Sequence, residues 1–161
     1  MSPVHADAIA GLRLATPGDL DAIMALETSI FVTDAWSPAL MRSELTAAHS
    51  FYLVVERDGE VIAYSGLRAV PGAMDADIQT IAVAPHARRL GLGRALMVAM
   101  IGEAARRGAR EVFLEVRADN PNAQRLYDSL GFRSIAVRQH YYQPDDVDAI
   151  VMRLTLGEAE A

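Results

Sequence analysis

The chain has 161 residues, 52% of them hydrophobic and 22% charged, which is enough to bury the core of one soluble globular domain. Its formal net charge of −6 argues against general nucleic-acid binding and favours a basic protein or peptide as partner. Because the sequence contains neither cysteine nor lysine, it excludes a disulfide scaffold, a thiolate metal site, a cysteinyl acyl-enzyme and a Walker-type phosphate loop.

Residues 1–7 lack the basic and apolar stretches of a signal peptide. No later apolar run approaches the ~20 residues that a membrane-spanning helix needs. We therefore expect a frayed N-terminal lead-in, a cytoplasmic location and no membrane partner.

Hydrophobic periodicity, caps and turn residues predict four helices and seven strands. The first helix starts at Thr16 and the second at Ser37, each followed by a proline that suits the first helical position. The other helices cover residues 91–107 and 122–130, and the pair Asp58-Gly59 predicts a β-hairpin. The predicted strands are residues 12–15, 51–56, 61–68, 78–83, 112–116, 132–137 and 149–156.

This order, β-α-α-β-β-β-α-β-α-β-β, predicts a mixed α/β fold with helices on both faces of one sheet. The sequence shows no internal repeat, low-complexity linker or domain boundary. We expect a single domain over residues 1–161, with its core over about 11–156 and a short acidic tail after it.

Residues 81–95 join the end of a predicted strand to an alanine-rich helix. Pro85 ends the strand, Arg88 and Arg89 follow it, and Gly91 and Gly93 open the helix. Glycine lets a ligand approach the backbone closely, and the first N–H groups of a helix attract anions. The segment favours a seat for a phosphate-bearing cofactor, although Gly-x-Gly before a helix is also an ordinary strand-to-helix turn.

Glu115 lies within the apolar strand 112–116. Alternation places it on the same face as Phe113 and Arg117, opposite the aliphatic side chains. Glutamate is rarely buried without a partner, so two explanations remain open. One is a salt bridge with Arg117, which the sequence alone favours; the other is a general base whose pKa is raised by partial burial.

Tyr127 and Asn120 belong to the next predicted helix and its start. Tyr127 lies on the apolar stripe, where most tyrosines are core residues with a satisfied hydroxyl. Its ordinary pKa of about 10 would also suit the protonation of a departing thiolate. Asn120 is either an Asx-type helix cap or an amide offered to a bound cofactor.

The remaining polar and aromatic candidates are weaker. The histidines are scattered without a metal-ligand spacing, so we expect no metal site. Trp36 and the pair Tyr141-Tyr142 fall in predicted loops, where they either line a substrate slot or pack over the sheet edge.

Two motifs resemble the hallmarks of the GCN5-related N-acetyltransferase (GNAT) superfamily, and the likeness covers nearly the whole chain. The first, Arg/Gln-x-x-Gly-x-Gly/Ala, is met by Arg88, Gly91 and Gly93. The second, Asn-x-x-Ala-x-x-Leu-Tyr-x-x-x-Gly-Phe, is met by Asn120, Ala123, Leu126, Tyr127, Gly131 and Phe132. The resemblance implies a mixed, mostly antiparallel sheet splayed into a V, which holds acetyl-CoA between its two central strands.

The resemblance also implies roles for individual residues. Glu115 would take a proton from the incoming ammonium, and Tyr127 would protonate the coenzyme A sulfur. Asn120 would contact the cofactor arm, which would be held by the backbone amides of Ile81, Ala82 and Val83. The remaining cofactor residues, around the pyrophosphate, would be Arg88, Arg89, Leu90, Gly91, Leu92, Gly93 and Arg94.

Three passages are similar to superfamily members that acetylate protein N-termini, in particular the N-terminal alanine of a ribosomal protein: residues 35–38, residues 114–120, and residues 138–142 with 148–152. This likeness implies direct transfer of acetyl to an α-amino group in a ternary complex. Trp36, Tyr141 and Tyr142 would then bind the acceptor peptide. For the oligomeric state we expect a monomer or a weak dimer.

Two alternatives remain open. One is a superfamily member that acetylates a small amine such as an antibiotic, a polyamine or an amino acid. The other is a non-catalytic acyl-CoA-binding module, against which the presence of Glu115 and Tyr127 argues.

Overall fold

The computed structural model describes residues 9–157, which form four α-helices and seven strands in the predicted order. The helices are α1 (Leu20–Ile30), α2 (Pro38–Leu45), α3 (Leu92–Arg106) and α4 (Pro121–Ser129). The strands are β1 (Leu12–Leu14), β2 (Ser50–Arg57), β3 (Glu60–Arg68), β4 (Asp75–Val83), β5 (Glu111–Arg117), β6 (Arg133–Tyr142) and β7 (Val147–Thr155). The N-terminal lead-in and most of the acidic tail lie outside the described residues.

The predicted helix starts are confirmed with one correction. The Ser37 hydroxyl caps α2 by accepting a backbone N–H of its first turn at 3.1 Å. Thr16 instead precedes a single 3₁₀ turn, Pro17–Asp19, and α1 begins after it at Leu20. The Asp19 carboxylate accepts the Thr16 N–H at 2.7 Å, so a capping contact is present but it closes the tighter turn.

Strand β6 is longer than the predicted 132–137 and runs to Tyr142. Tyr141 and Tyr142 therefore lie at the end of a strand and not in a loop, whereas Trp36 lies in the loop between α1 and α2 as predicted. β6 is the edge strand of the sheet, and nearly every residue in it is exposed. A strand without a buried face carries no alternation of apolar residues, so periodicity could not reveal its full length.

The seven strands form one sheet in the order β1-β2-β3-β4-β5-β7-β6, and β4 and β5 are its parallel pair. These two strands pair only through Asp75–Asp77 and Glu111–Phe113, after which both continue without pairing. β4 also carries a bulge at Gln79, because Ile78 and Thr80 face adjacent residues of β3. A bulge bends its strand, so it helps to open the sheet into the predicted V.

Helices cover both faces of this sheet, as predicted. One core packs α3 and α4 against it through buried residues that include Leu92, Leu96, Met97, Met100 and Tyr127. The other core packs α1 and α2 on the opposite face and includes Leu20, Ile23, Met24 and Met41.

Gly66 of β3 makes room for a side chain that fixes the bulge. A Cβ atom at this position would clash with three ring carbons of Tyr52 on β2. The Tyr52 hydroxyl donates to Gln79 Oε1 at 2.9 Å, and Gln79 Nε2 donates to Glu44 Oε1 of α2 at 2.7 Å. The glycine thus lets the tyrosine ring lie over β3 and hold the bulged residue.

We expect Gly66→Ala to lower the free energy of unfolding by about 1–3 kcal/mol, because the new methyl group displaces the Tyr52 ring from a packed position. Urea denaturation of purified protein measures this change. The matched control is Gly18→Ala, whose Cβ would meet only Thr16 Oγ1, at 3.6 Å. Equal stability of the two variants would contradict the packing argument.

Candidate active site

A cavity of about 550 Å³ lies between the separated parts of β4 and β5. This volume falls within the range of small-molecule and cofactor sites. Its lining includes the predicted site residues Trp36, Ile81, Glu115, Asn120, Tyr127, Tyr141 and Tyr142. The fold therefore brings together residues that are spread over more than a hundred positions of the sequence.

Glu115 lies on β5 with its carboxylate at the cavity wall, and its side chain is 30% exposed. Glu115 Oε2 lies 2.5 Å from Nε of Arg138 on β6. The salt bridge predicted with Arg117 is therefore wrong in its partner. The reason is strand order: Arg138 reaches Glu115 from a strand that is two places away in the sheet, which local spacing cannot show.

Arg117 instead forms ion pairs with two segments near the cavity, the α1–α2 loop and the β6–β7 turn. Its guanidinium lies 3.4 Å from Asp34 in the α1–α2 loop, 2.9 Å from Asp119, and 3.1 Å from Asp145 in the β6–β7 turn. The same group sits over the ring of Tyr142, 5.3 Å from its centroid. These contacts connect the two sides of the V at its open end.

Tyr127 of α4 combines a core ring with a cavity-lining position. The residue is 6% exposed, and its ring packs edge-on against Phe132 at 6.1 Å between centroids. Burial raises the pKa of Tyr127 to about 12, so its hydroxyl stays protonated at neutral pH. The predicted core position is confirmed, but within residues 9–157 no side chain satisfies this hydroxyl.

Asn120 is the N-cap of α4, which confirms the predicted helix cap. Its Oδ1 accepts the N–H of Ala123 at 3.2 Å. The residue also lines the cavity, which leaves the contact between its amide and a cofactor arm as a prediction.

The turn before α3 has the backbone geometry expected of an anion-binding site, called the anion seat below. Arg89 and Gly91 have positive φ angles of 69° and 77°, and the helix begins directly after them. Ala95 donates its N–H to the Gly91 carbonyl at 3.0 Å, so the amides before it precede the hydrogen-bond ladder of the helix. A Cβ at Gly91 would meet nothing within 4 Å, which shows open space against this backbone.

The side chains around the turn differ in burial and in their hydrogen-bond partners. Leu92 is buried in the core at the start of the helix, whereas Leu90 is exposed. Arg94 Nη2 donates to Ser129 Oγ at 2.5 Å, and Arg88 Nε donates to the Val83 carbonyl at 3.3 Å. These two arginines therefore have partners within the protein, in addition to any contact with a phosphate.

Gly93, the second glycine of the motif, lies beside α4. A Cβ at this position would lie 3.4 Å from Leu126 Cδ2 of α4. This is an ordinary van der Waals distance, so a methyl group at position 93 would pack against α4 without a clash.

Ile81, Ala82 and Val83 lie in the part of β4 that has separated from β5. They pair with β3 on one side, but β5 pairs only with residues 75–77. Their opposite edge therefore borders the opening of the sheet, where unpaired backbone groups need a partner other than a strand. A pantetheine arm carries amides that fit such an edge.

The cavity carries more carboxylates than guanidinium groups. Glu27, Asp34, Asp77 and Glu115 line it, against Arg117 and Arg138. Burial raises the pKa of Asp77, with a further contribution from the neighbouring Asp75. This balance favours a cationic acceptor over an anionic one.

Glu27 is the main functional candidate that the sequence interpretation missed. It is 2% exposed, lines the cavity, and has its pKa raised by burial. A signal was present, because Glu27 follows Ile23 by four residues and so falls on the apolar stripe of α1. A lone carboxylate on such a stripe indicates a buried polar contact.

Within residues 9–157, no helix is both long and apolar enough to cross a lipid bilayer. In the same part of the chain, no group of three or more His, Cys, Asp or Glu side chains is arranged to hold a metal ion.

Comparison with known proteins places this geometry in context. Residues 20–132 match the family model described as the acetyltransferase (GNAT) family. The chain is 34% identical over 148 residues to N-alpha-acetyltransferase RimI of Mycobacterium tuberculosis, covering 89% of this chain and 90% of that protein.

Solved structures agree with this similarity. The ribosomal-protein-S18-alanine N-acetyltransferase of Escherichia coli superposes with a TM-score of 0.80 at 32% identity, covering 92% of this chain and 95% of that one. A protein from Salmonella typhimurium, solved with its cofactor acetyl-CoA, shares the fold with a TM-score of 0.78 at 23% identity, covering 93% of this chain and 95% of that one. The match to each fold thus extends over nearly the whole chain.

Proposed function

The chain belongs to the acetyltransferase (GNAT) family and is an N-acetyltransferase, and on this premise we propose that it acetylates the N-terminal alanine of a ribosomal protein. The observation that supports this most directly is the cavity between β4 and β5, which Glu115 and Tyr127 both line and in which carboxylates outnumber guanidinium groups. The similar protein of M. tuberculosis is named an N-alpha-acetyltransferase, and that of E. coli a ribosomal-protein-S18-alanine N-acetyltransferase.

The residues at the splayed strand and the turn fit the donor, acetyl-CoA, which supplies the thioester. The positive end of α3 and the open backbone at Gly91 suit a diphosphate, and the exposed Arg89 adds a positive charge beside it. The unpaired edge of residues 81–83 suits the amides of the pantetheine arm. Donor binding therefore uses mostly backbone groups, which cost little reorganisation.

Glu115 accepts the proton of the incoming ammonium in this proposal. An α-amino group has a pKa of about 8, so the proton is only weakly held at neutral pH. Arg138 orients the carboxylate from the edge of the cavity at 2.5 Å. Much of the acceleration then comes from holding the amine and the thioester carbonyl in line.

Tyr127 donates its hydroxyl proton toward the sulfur as negative charge develops there. The hydroxyl suits this role because it is protonated and lies at the cavity. Transfer is direct in this proposal, because the chain contains no cysteine to carry the acetyl group.

We expect Tyr127→Phe to lower kcat about 100-fold, because it removes the only hydroxyl we assign to the departing sulfur. The ring and its contact with Phe132 remain, so the unfolding free energy and the coenzyme A affinity should stay close to those of the unchanged protein. Steady-state kinetics, calorimetric binding of coenzyme A and urea denaturation measure the three quantities. If kcat stays within twofold of that of the unchanged protein, the Tyr127 hydroxyl is not the proton donor and the residue has only a structural role.

The acceptor class is tested with labelled acetyl-CoA and short peptides that differ only in their first residue. Each peptide has a copy with a blocked N-terminus and an internal lysine, and a panel of polyamines, amino acids and aminoglycosides is assayed beside them. The proposal predicts the highest kcat/KM for the alanine peptide and no transfer to the blocked copies. A small amine with a higher kcat/KM would overturn it.

A monomeric or weakly dimeric state and a cytoplasmic location stay predictions of this proposal.

A further inference from the structure

Glu27 holds an unusual position among the acids of the cavity. It belongs to α1, which packs on the face of the sheet opposite α3, and its side chain is almost fully buried. A buried carboxylate needs hydrogen-bond donors on both oxygens to offset its loss of hydration. Its two partners therefore indicate what the residue does.

The partners of Glu27 come from a strand and a loop. Oε1 accepts the hydroxyl of Tyr64, a fully buried residue of β3. Oε2 accepts the backbone N–H of Trp36 at 2.9 Å. The Tyr64 hydroxyl also lies 3.5 Å from Thr80 Oγ1 on β4, at the cavity wall.

The other end of the same loop leaves α1 directly after its last turn. The backbone carbonyl of Glu27 accepts the N–H of Phe31 at 2.8 Å. This is the ordinary i to i+4 hydrogen bond at the end of a helix, so only the Trp36 end of residues 31–36 depends on the Glu27 side chain. Phe31, Asp34 and Trp36 within this segment all line the cavity.

We propose that Glu27 is a positioning residue for the acceptor: its carboxylate joins the Trp36 end of the loop 31–36 to Tyr64 of β3 and so fixes Trp36 against the cavity. This inference rests on the proposed transfer to an acceptor amine. The loop lies far along the chain from the turn at Gly91, and none of its residues takes part in that turn. Loss of the contact therefore weakens the acceptor site and leaves donor binding unchanged.

Two conservative variants distinguish positioning from a direct action of the negative charge. Glu27→Gln removes the charge but keeps the reach, because its Oε1 can accept the Trp36 N–H while its amide donates to the Tyr64 hydroxyl. Glu27→Asp keeps the charge but shortens the side chain by one methylene, so it cannot reach both partners.

Positioning predicts that Glu27→Asp raises the acceptor KM about tenfold or more, with kcat and the acetyl-CoA Kd within about threefold. Glu27→Gln should keep the acceptor KM within about threefold. If the charge acts directly on the ammonium, the order reverses and the glutamine variant suffers the larger loss. Asp21→Asn, an exposed change of charge on the same helix, is the control and should have no effect.

A fluorescence readout tests the loop without any activity, because Trp36 is the only tryptophan in the chain. Glu27→Asp should shift the emission of Trp36 to longer wavelength and increase its quenching by acrylamide, whereas Glu27→Gln should match the unchanged protein. An unchanged Trp36 signal in a folded Glu27→Asp protein overturns the positioning of the loop. A shifted signal without a change in acceptor KM overturns its role in acceptor binding.

The two readouts also separate this inference from the proposed function. If the peptide panel shows no preference for an N-terminal alanine, the substrate assignment fails. The fluorescence difference between the two Glu27 variants is then still expected, because it depends only on the hydrogen bonds to Trp36 and Tyr64.

Discussion

The Gly91→Asp protein should fold normally and bind coenzyme A at least about 100-fold more weakly, a loss of about 2.7 kcal/mol. Folding should persist because aspartate tolerates a positive φ and a Cβ at this position meets no other atom within 4 Å. Binding should fail because the carboxylate occupies the open space at the positive end of α3. It then repels the diphosphate that the amides of this turn would otherwise receive.

Gly59→Asp provides a closely matched control for this variant. Gly59 has the same φ of +77°, also has nothing within 4 Å of its would-be Cβ, and lies in the hairpin between β2 and β3. The two variants therefore share the backbone strain and the added charge but differ in location. Calorimetry with coenzyme A should detect normal binding by the control, and normal binding by Gly91→Asp would contradict the anion seat.

The Glu115→Gln protein should lose at least about 100-fold in kcat at neutral pH, because an amide cannot accept the proton of the acceptor ammonium. Its affinity for coenzyme A should change less than about twofold, since Glu115 lies apart from the turn at Gly91. The difference in kcat between the variant and the unchanged protein should become smaller above about pH 8, because the α-amino group of the acceptor is then already neutral when it binds.

Glu111→Gln is the control that shares the strand and the face. Glu111 is 33% exposed against 30% for Glu115, and it pairs with Arg153 as Glu115 pairs with Arg138. It lies at the end of β5 that is still paired with β4, outside the cavity lining. The control should keep the rate of the unchanged protein, and an equally fast Glu115→Gln protein would remove the base assignment.

Several features of the site follow from short-range patterns. The alternation in β5 predicts correctly that Glu115 and Arg117 share the face opposite the buried Val112, Leu114 and Val116. The Asp58-Gly59 hairpin has positive φ at both residues, as its turn type requires. These features depend on neighbours within a few residues, so the sequence contains all the information that decides them.

The partners of the charged residues depend on longer-range geometry. Glu115 pairs with Arg138, and not with Arg117 as predicted, because β6 and β7 fold back beside β5. Glu27 becomes part of the cavity only because α1 packs on β3 and places it beside Tyr64. Neither contact has a signature in spacing, since each joins residues separated by more than twenty positions.

The amino-acid order by itself determined the number and sequence of the elements, the glycine turn, and the family likeness, because each depends on local conformational preference or on motif spacing. The tertiary structure alone decided how far β4 and β5 remain paired, which cation faces Glu115, and that the buried Glu27 carboxylate joins Trp36 to Tyr64. The physical reason is that such contacts arise from the packing of whole sheets and helices, in which distant residues compete for the same partners.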